Sequence, residues 1–296
     1  MRIAILGVGL IGGSIGLAVR REGWQVTGWG PRDESLQLAA RRGAVDRIAT
    51  NAVEACEGAE LIVLAGPIRS LPDLMRAAAR GARAGTVVTD VASVKGQVMR
   101  WAEELLPPNL CFVGGHPMAG KEVQGVGAAD PDLLRGATYC LVPGPQPGMD
   151  RVEQLVSAVG ARKLLVNPED HDRAVAAASH LPFMVATALV EAVGDDLLDL
   201  AGAVAAGGFS DTSRVAQASP AMHADICNYN APAVADMIAR FEMALAGLKA
   251  KLAEPDIEAD FTHAAQARQR WSQTRVSTSA EAKRVPELHA VPNASG

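Results

Sequence analysis

Short aliphatic runs alternate with longer helix-spaced segments through the first 168 residues. "RIAILG", "QVTGW", "ELIVLAG" and "TVVTDV" are rich in β-branched or aliphatic residues and have the length of strands. Between them, the stretch to about Arg21 and the stretch near residues 71–80 repeat their apolar positions every three or four residues, as helices do. Strand and helix in alternation predict a parallel sheet with crossover helices. "CFVGG", "TYCLVPG" and "RKLLVN" are further strands, the last ending near Pro168. From Glu169 the pattern becomes long, alanine-rich and helical, with no strand signal until about residue 275. The closing "TSAEAKRVPELHAVPNASG" has no apolar period. The pattern predicts an α/β domain over residues 1–168, an all-α domain over 169–275 and a flexible tail over 276–296.

Composition narrows the partners. The 296 residues are 49% hydrophobic and 21% charged, enough for a real core in each of two domains. A net charge of −5 with both signs interspersed offers no basic face, so no nucleic-acid partner is expected. No uninterrupted apolar run reaches the ~18 residues of a membrane span, so no membrane segment is expected either. The apolar start "MRIAILGVGLIGG" is broken by glycines without a cleavage site, which reads as a strand entering a loop in a cytoplasmic protein. Cys56, Cys111, Cys140 and Cys227 are far apart and form no metal-ligand spacing, so they read as buried thiols, with no metal site.

Gly7, Gly9 and Gly12 spell G-x-G-x-x-G between a strand and a helix. There the glycines permit a tight turn and let backbone amides of Leu10 and Ile11 approach a pyrophosphate at the helix start. The bland alternative is a glycine turn that only packs helix on strand. An NAD site places Asp or Glu about 20 residues on, at the end of the second strand. Here "GWGPRDES" has Gly30 in that place and Arg32 close behind, which favours the 2′-phosphate of NADP over NAD. Asp33 is near enough to leave NAD open, and a solvated loop without preference is the third reading.

"TDVASVKG" sets Asp90, Ser93 and Lys95 after an apolar run, at the sheet edge where such folds bind ligands. Ser93 is either a site residue or the cap of a helix starting near Gly96. "FVGGHPMAG" holds His116 between a glycine pair and a proline, as a turn residue or a placed proton acceptor. Both segments follow strands and so open on one edge. In the helical half, Pro182 cannot donate its helical bond, which frees a carbonyl near Ala178 and predicts a kink in the helix that carries His180, itself either a core histidine or a ligand. "GGFSDTSRVAQASPAMHADICNYN" brings Asp211, Thr212, Arg214, His223 and Asn230. Arg214 is either a surface salt bridge or a carboxylate clamp.

"GLIGGS", "TDVASVK", "GGHPMAG", "SHLP" and "GGFSDTSR", in this order, closely resemble the prephenate and arogenate dehydrogenases of tyrosine biosynthesis over roughly residues 1–270. The resemblance implies a Rossmann-like N-terminal domain, an all-α C-terminal domain that builds a homodimer, and a site in the cleft between them. It implies NAD(P)-dependent oxidative decarboxylation of prephenate or arogenate, giving 4-hydroxyphenylpyruvate or tyrosine. His116 matches the family's catalytic histidine and Ser93 a serine of the same cluster. His180 matches a substrate-side histidine and Arg214 the arginine on a substrate carboxylate. Lys121 stands where threonine is usual, Ser210 where a basic residue is frequent, and His223 where prephenate-specific members commonly have an aromatic. Lys121 and His223 are thereby expected on the substrate side. No fused mutase or regulatory domain is expected. Two rivals remain: a β-hydroxyacid dehydrogenase, which would use a catalytic lysine such as Lys249 or Lys251, and a non-catalytic nucleotide-sensing dimer.

Overall fold

β1 (Arg2–Leu6) shows how the first half is built. Its residues alternate between two apolar layers, Ile3 and Ile5 in one, Ala4 and Leu6 in the other. A strand buried on both faces needs helices on both sides, and these follow. In this computed structural model, which describes residues 1–121, 123–252, 254 and 256–280, α1 (Leu10–Arg21), β2 (Gln25–Trp29), α2 (Asp33–Arg41), β3 (Arg47–Ile48), α3 (Ala52–Cys56), β4 (Leu61–Leu64), α4 (Leu71–Gly81), β5 (Val87–Asp90), α5 (Gly96–Leu105) and β6 (Cys111–Val113) succeed one another. The six strands form one parallel sheet in the order β3-β2-β1-β4-β5-β6. This is a Rossmann-like sheet, and its order reverses at β1 and β4, the place where such sheets bind ligands.

The remaining strands leave this sheet. β7 (Gly115–Pro117), β8 (Thr138–Leu141) and, after α6 (Gln146–Ala158), β9 (Arg162–Leu165) make a second sheet, with β7 antiparallel and β9 parallel to β8. The run "CFVGG" is thus split at Gly114, and "GGHPMAG" does not simply emerge from the first sheet's edge. Gly115 permits the crossing: a Cβ there would stand 2.7 Å from the Asp90 carbonyl oxygen and 3.0 Å from the Tyr139 ring.

Beyond β9 the described residues contain helices and no strand: α7 (Pro168–Val175), α8 (Leu181–Val204), α9 (Gly207–Ser213), α10 (Pro220–Tyr229), α11 (Ala231–Ala250) and α12 (Ile257–Ala280). Asn167 caps α7 by accepting from the Asp170 amide, and Pro168 fills the first helical position. Between α7 and α8 the chain makes a π-helical turn, Ala176–His180, which spans the carbonyl near Ala178 that Pro182 was expected to free. By length and composition alone the run Pro168–Val204 would suffice to cross a membrane, but Gly194 (φ 65°) breaks its helical geometry. The chain falls into two compact units, Met1–Ala239 and the residues from Arg240. In the second unit α12 extends through Ala280, and the rest of the expected tail lies outside the described residues.

Candidate active site

The glycine loop sits at the point of strand reversal. Gly7 adopts φ 111°, and a Cβ on it would lie 2.5 Å from the Ala65 carbonyl carbon on the neighbouring strand's loop. A Cβ on Gly12 would meet the Gly7 carbonyl oxygen at 2.1 Å, whereas one on Gly9 would meet nothing within 4 Å. Two glycines therefore close the turn and the third opens onto free space. The first turn of α1 at Leu10 and Ile11 has no side-chain cap, which leaves its amides for an anion. This cradle fits a dinucleotide's pyrophosphate. Gly30 lies beside the loop, its Cβ position 3.8 Å from the Val8 amide nitrogen, while Arg32 caps α2 as an exposed residue and Asp33 begins that helix.

Across the C-terminal end of β5 the polar groups are tightly knit. Asp90 and Lys95 form a fully buried ion pair, and the ammonium also donates to the Gly115 carbonyl at 2.8 Å. Asp90 in turn accepts from the Gly115 amide at 2.9 Å, so the pair holds β7 by its first residue. Burial lowers the Lys95 ammonium below its ordinary pKa even against the Asp90 charge. Ser93, half-buried, is not the cap of α5. That place is taken by Asp172 of α7, whose carboxylate accepts from the amides of Lys95 (2.7 Å) and Gly96 (2.8 Å). Ser93 has no side-chain hydrogen-bond partner among the described residues.

His116 is a strand residue, paired with Cys140 in register, and 8% exposed. Its Nδ1 lies 2.8 Å from Nε2 of His171, and His171 Nδ1 lies 2.8 Å from Asp172 Oδ1. Burial, and then the electrostatic cost of placing a cation beside His171, Lys95 and His180, hold His116 well below the ordinary histidine pKa. Burial likewise brings His180, at the π-helical turn, down to about 4, with the Asp172 charge opposing and His223 and His171 assisting. For Asp172 burial works against the charge, but bonds from His171 and the two amides outweigh it, so its pKa is lowered. Asn230 donates to the Asp172 main-chain carbonyl at 2.8 Å and contacts His180 Nδ1 at 3.3 Å. The His223 ring stacks on Phe183 of α8 at 3.7 Å, and its Nδ1 lies 3.1 Å from the Ser219 carbonyl oxygen.

The structure thus gathers His116, His180, His223 and Asn230 from the sequence's set and adds His171 and Asp172. Of the six histidines in the chain, four meet here. Arg214 is exposed, in a short 3-10 turn (Arg214–Gln217) packed on α8. Lys121 lies further out, its ammonium 3.1 Å from Asp130, so its charge is already matched by a carboxylate. Lys249 and Lys251 belong to the second unit, where Lys251 binds Asp260 at 2.8 Å. His171 carries a readable signal: it shares a helical face with Val175, four residues on, and both are buried. Among the described residues no group of His, Cys, Asp and Glu forms a metal site, and the four cysteines are unpaired thiols, Cys56 and Cys140 buried and the other two half-buried.

Residues 15–165 match the family model "Prephenate dehydrogenase, nucleotide-binding domain" and residues 167–266 match "Prephenate dehydrogenase, dimerization domain". The chain belongs to the prephenate dehydrogenase family. It is 36% identical over 242 residues to prephenate dehydrogenase of Bacillus subtilis, covering 79% of this chain and 65% of that protein. The crystal structure of prephenate dehydrogenase from A. aeolicus, in complex with hydroxyphenyl propionate and NAD+, superposes with a TM-score of 0.84 at 29% identity, covering 91% of this chain and 98% of that one. Synechocystis arogenate dehydrogenase gives a TM-score of 0.79 at 30% identity, covering 92% and 100%. Within this family the Rossmann-like half is the nucleotide-binding domain and the helical half corresponds to the dimerization domain.

Proposed function

We propose that the chain oxidatively decarboxylates a cyclohexadienyl acid, prephenate or arogenate, with a bound nicotinamide dinucleotide. The observation that carries this is His116: a buried imidazole kept unprotonated by its surroundings, beside the end of β5, with one ring nitrogen engaged and the other available. NAD(P), when bound, supplies the acceptor for the hydride that leaves C4 of the ring. His116 takes the proton of the 4-hydroxyl through Nε2 as C4 becomes a carbonyl carbon. Breaking the bond between C1 and its carboxylate then sends that electron pair into the ring, releases carbon dioxide and leaves a phenolate oxygen. His116 returns the proton to that oxygen, so the imidazole is regenerated and no proton is lost overall. Aromatisation drives the second step, and the residues around it need only hold geometry and keep water out.

Arg214 pairs with the ring carboxylate, which both substrates share, because a planar guanidinium grips a carboxylate through two bonds. His180, Ser93 and His223 line the substrate side, and Lys121, already paired with Asp130, acts at its margin. Gly7, Gly9, Gly12, Leu10 and Ile11 receive the pyrophosphate. Gly30 and Arg32 leave room and charge for a 2′-phosphate, which favours NADP. A second copy of the chain completes the enzyme as a homodimer, and the exposed apolar stripe of α8 is what it would cover. The test is the formation of reduced cofactor, followed at 340 nm, with prephenate, arogenate and a simple β-hydroxyacid supplied in turn, each with NADP and with NAD. Turnover on a cyclohexadienyl acid and higher kcat/KM with NADP are expected. Turnover on the hydroxyacid alone, or on none, sinks the assignment.

A further inference from the structure

We propose that Asp172, acting through His171 and Asn230, fixes the two site histidines in opposite tautomers, so that His116 presents a bare Nε2 and His180 an Nε2–H. The inference gives the proposed reaction its proton polarity and rests on that reading for its purpose, though not for its geometry.

Asn230 can adopt one amide orientation only. Its Nδ2 is 2.8 Å from a main-chain carbonyl, that of Asp172, which can only accept, so the amide is oriented with its NH2 group on that side. The second hydrogen of the same NH2 points to His180 Nδ1 at 3.3 Å. That nitrogen must accept. A neutral imidazole with Nδ1 accepting carries its hydrogen on Nε2, and His180 is neutral because burial holds it near 4. It therefore meets a substrate oxygen as a donor.

His116 is bonded to the Asp172 carboxylate through His171. The Asp172 carboxylate accepts, so His171 Nδ1, at 2.8 Å, donates to it. A neutral His171 then has a lone pair on Nε2, and His116 Nδ1, 2.8 Å away, donates into it. This leaves His116 with an unprotonated Nε2, the form a proton acceptor requires. The alternative is a doubly protonated His171, which would force His116 to accept at Nδ1 and carry its hydrogen on Nε2, unable to act as a base. Asp172 does not call for such a cation. Its charge is already shared between the amides of Lys95 and Gly96 at the positive end of α5. A nearby close approach shows how closely that capping site is fitted: a Cβ on Gly96 would stand 3.0 Å from Asp172 Oδ2.

His171 and Asn230 are positioning residues, and an aspartate setting an imidazole's tautomer is the role known from the serine protease triad. When His116 takes the substrate proton at Nε2, its Nδ1–H stays on His171 and the new charge is spread toward the Asp172 carboxylate without a further proton transfer.

The test reads nitrogen, not turnover. Protein labelled with 15N-histidine, resting and at pH 7, gives two-bond proton–nitrogen correlations that distinguish the tautomers, with signals assigned from single His→Gln variants. Wild type is expected to show His116 as Nδ1–H and His180 as Nε2–H. His171→Gln should keep the His116 pattern, because an amide accepts from Nδ1–H while donating to Asp172, and should hold kcat within about tenfold. His171→Leu should turn His116 into a mixture and lower kcat roughly 10²–10⁴-fold. Asn230→Leu should mix the tautomers of His180 and spare those of His116. An Nε2–H signal for His116 or an Nδ1–H signal for His180 in wild type overturns the proposal, and the wild-type spectrum decides even where a variant does not fold. Predicted tautomers in a protein that turns over no cyclohexadienyl acid would instead count against the proposed function alone.

Discussion

A histidine serves as a base only when it is neutral, reachable and oriented, and His116 meets the first condition through burial. His116→Asn keeps a hydrogen-bonding group near the Nδ1 position but no basic nitrogen. It is expected to lower kcat by roughly two to four orders of magnitude with a smaller change in KM, read from cofactor reduction. Near-normal turnover would make His116 a strand residue and nothing more. The same burial links function to stability. His180 goes from 6.5 in the unfolded chain to about 4 in the fold. Between those values the unfolded chain binds the proton and the native state does not, so stability is full above 6.5 and falls as pH drops toward 4. The loss attributable to His180 is on the order of 3 kcal/mol, the shift converted at 1.36 kcal/mol per unit. Urea unfolding at pH 7 and pH 4.5 should show it in wild type and show much less in His180→Gln. Parallel pH dependences would refute it.

At the scale of elements, the glycine loop separates a folding role from a binding role within one motif. Gly12→Ala drives a methyl into the Gly7 carbonyl and should cost about 1–3 kcal/mol of stability, as overpacking does. Gly9→Ala meets no protein atom, so its melting temperature should match wild type while its affinity for the dinucleotide drops tenfold or more. Calorimetry and cofactor titration on the two variants check this; loss of affinity without loss of stability in both would make the loop equivalent throughout. The loop, β1 and the alternation behind them were legible because each is a local pattern. β7 was not: three residues between glycines and a proline carry too little periodicity, and their strand pairing comes from β8, more than 20 residues away. Ser93 was open between cap and site because both need a polar residue before α5, and the cap that the fold uses, Asp172, is 77 residues from the Lys95 amide it binds. The partners of His171 and Asn230 were hidden for the same reason: they lie 55 and 58 residues away and are set by long-range packing.

At the scale of the molecule, α8 presents Leu197, Leu200 and Val204, three and four residues apart, as one exposed apolar stripe. It is the surface that the proposed second copy would cover. Leu200→Asp should shift the protein from dimer toward monomer in light scattering at micromolar concentration, and a dimer unchanged by it would place the interface elsewhere. The cap of α5 has a consequence for motion. The amides of Lys95 and Gly96 are shielded by a carboxylate that arrives with the next region of the chain, not by their own helix. Their exchange with deuterium therefore times how often α7 lifts from the edge of the first sheet, independently of any opening in α5 itself. In native-state exchange these two amides should follow the slow opening of that junction, and Asp172→Ala should hasten both while the amide of Val98 deeper in α5 keeps its pace; equal acceleration of all three would mean that the helix frays as a whole. Two backbone hydrogens would then act as a clock for the contact between nucleotide-binding and helical halves.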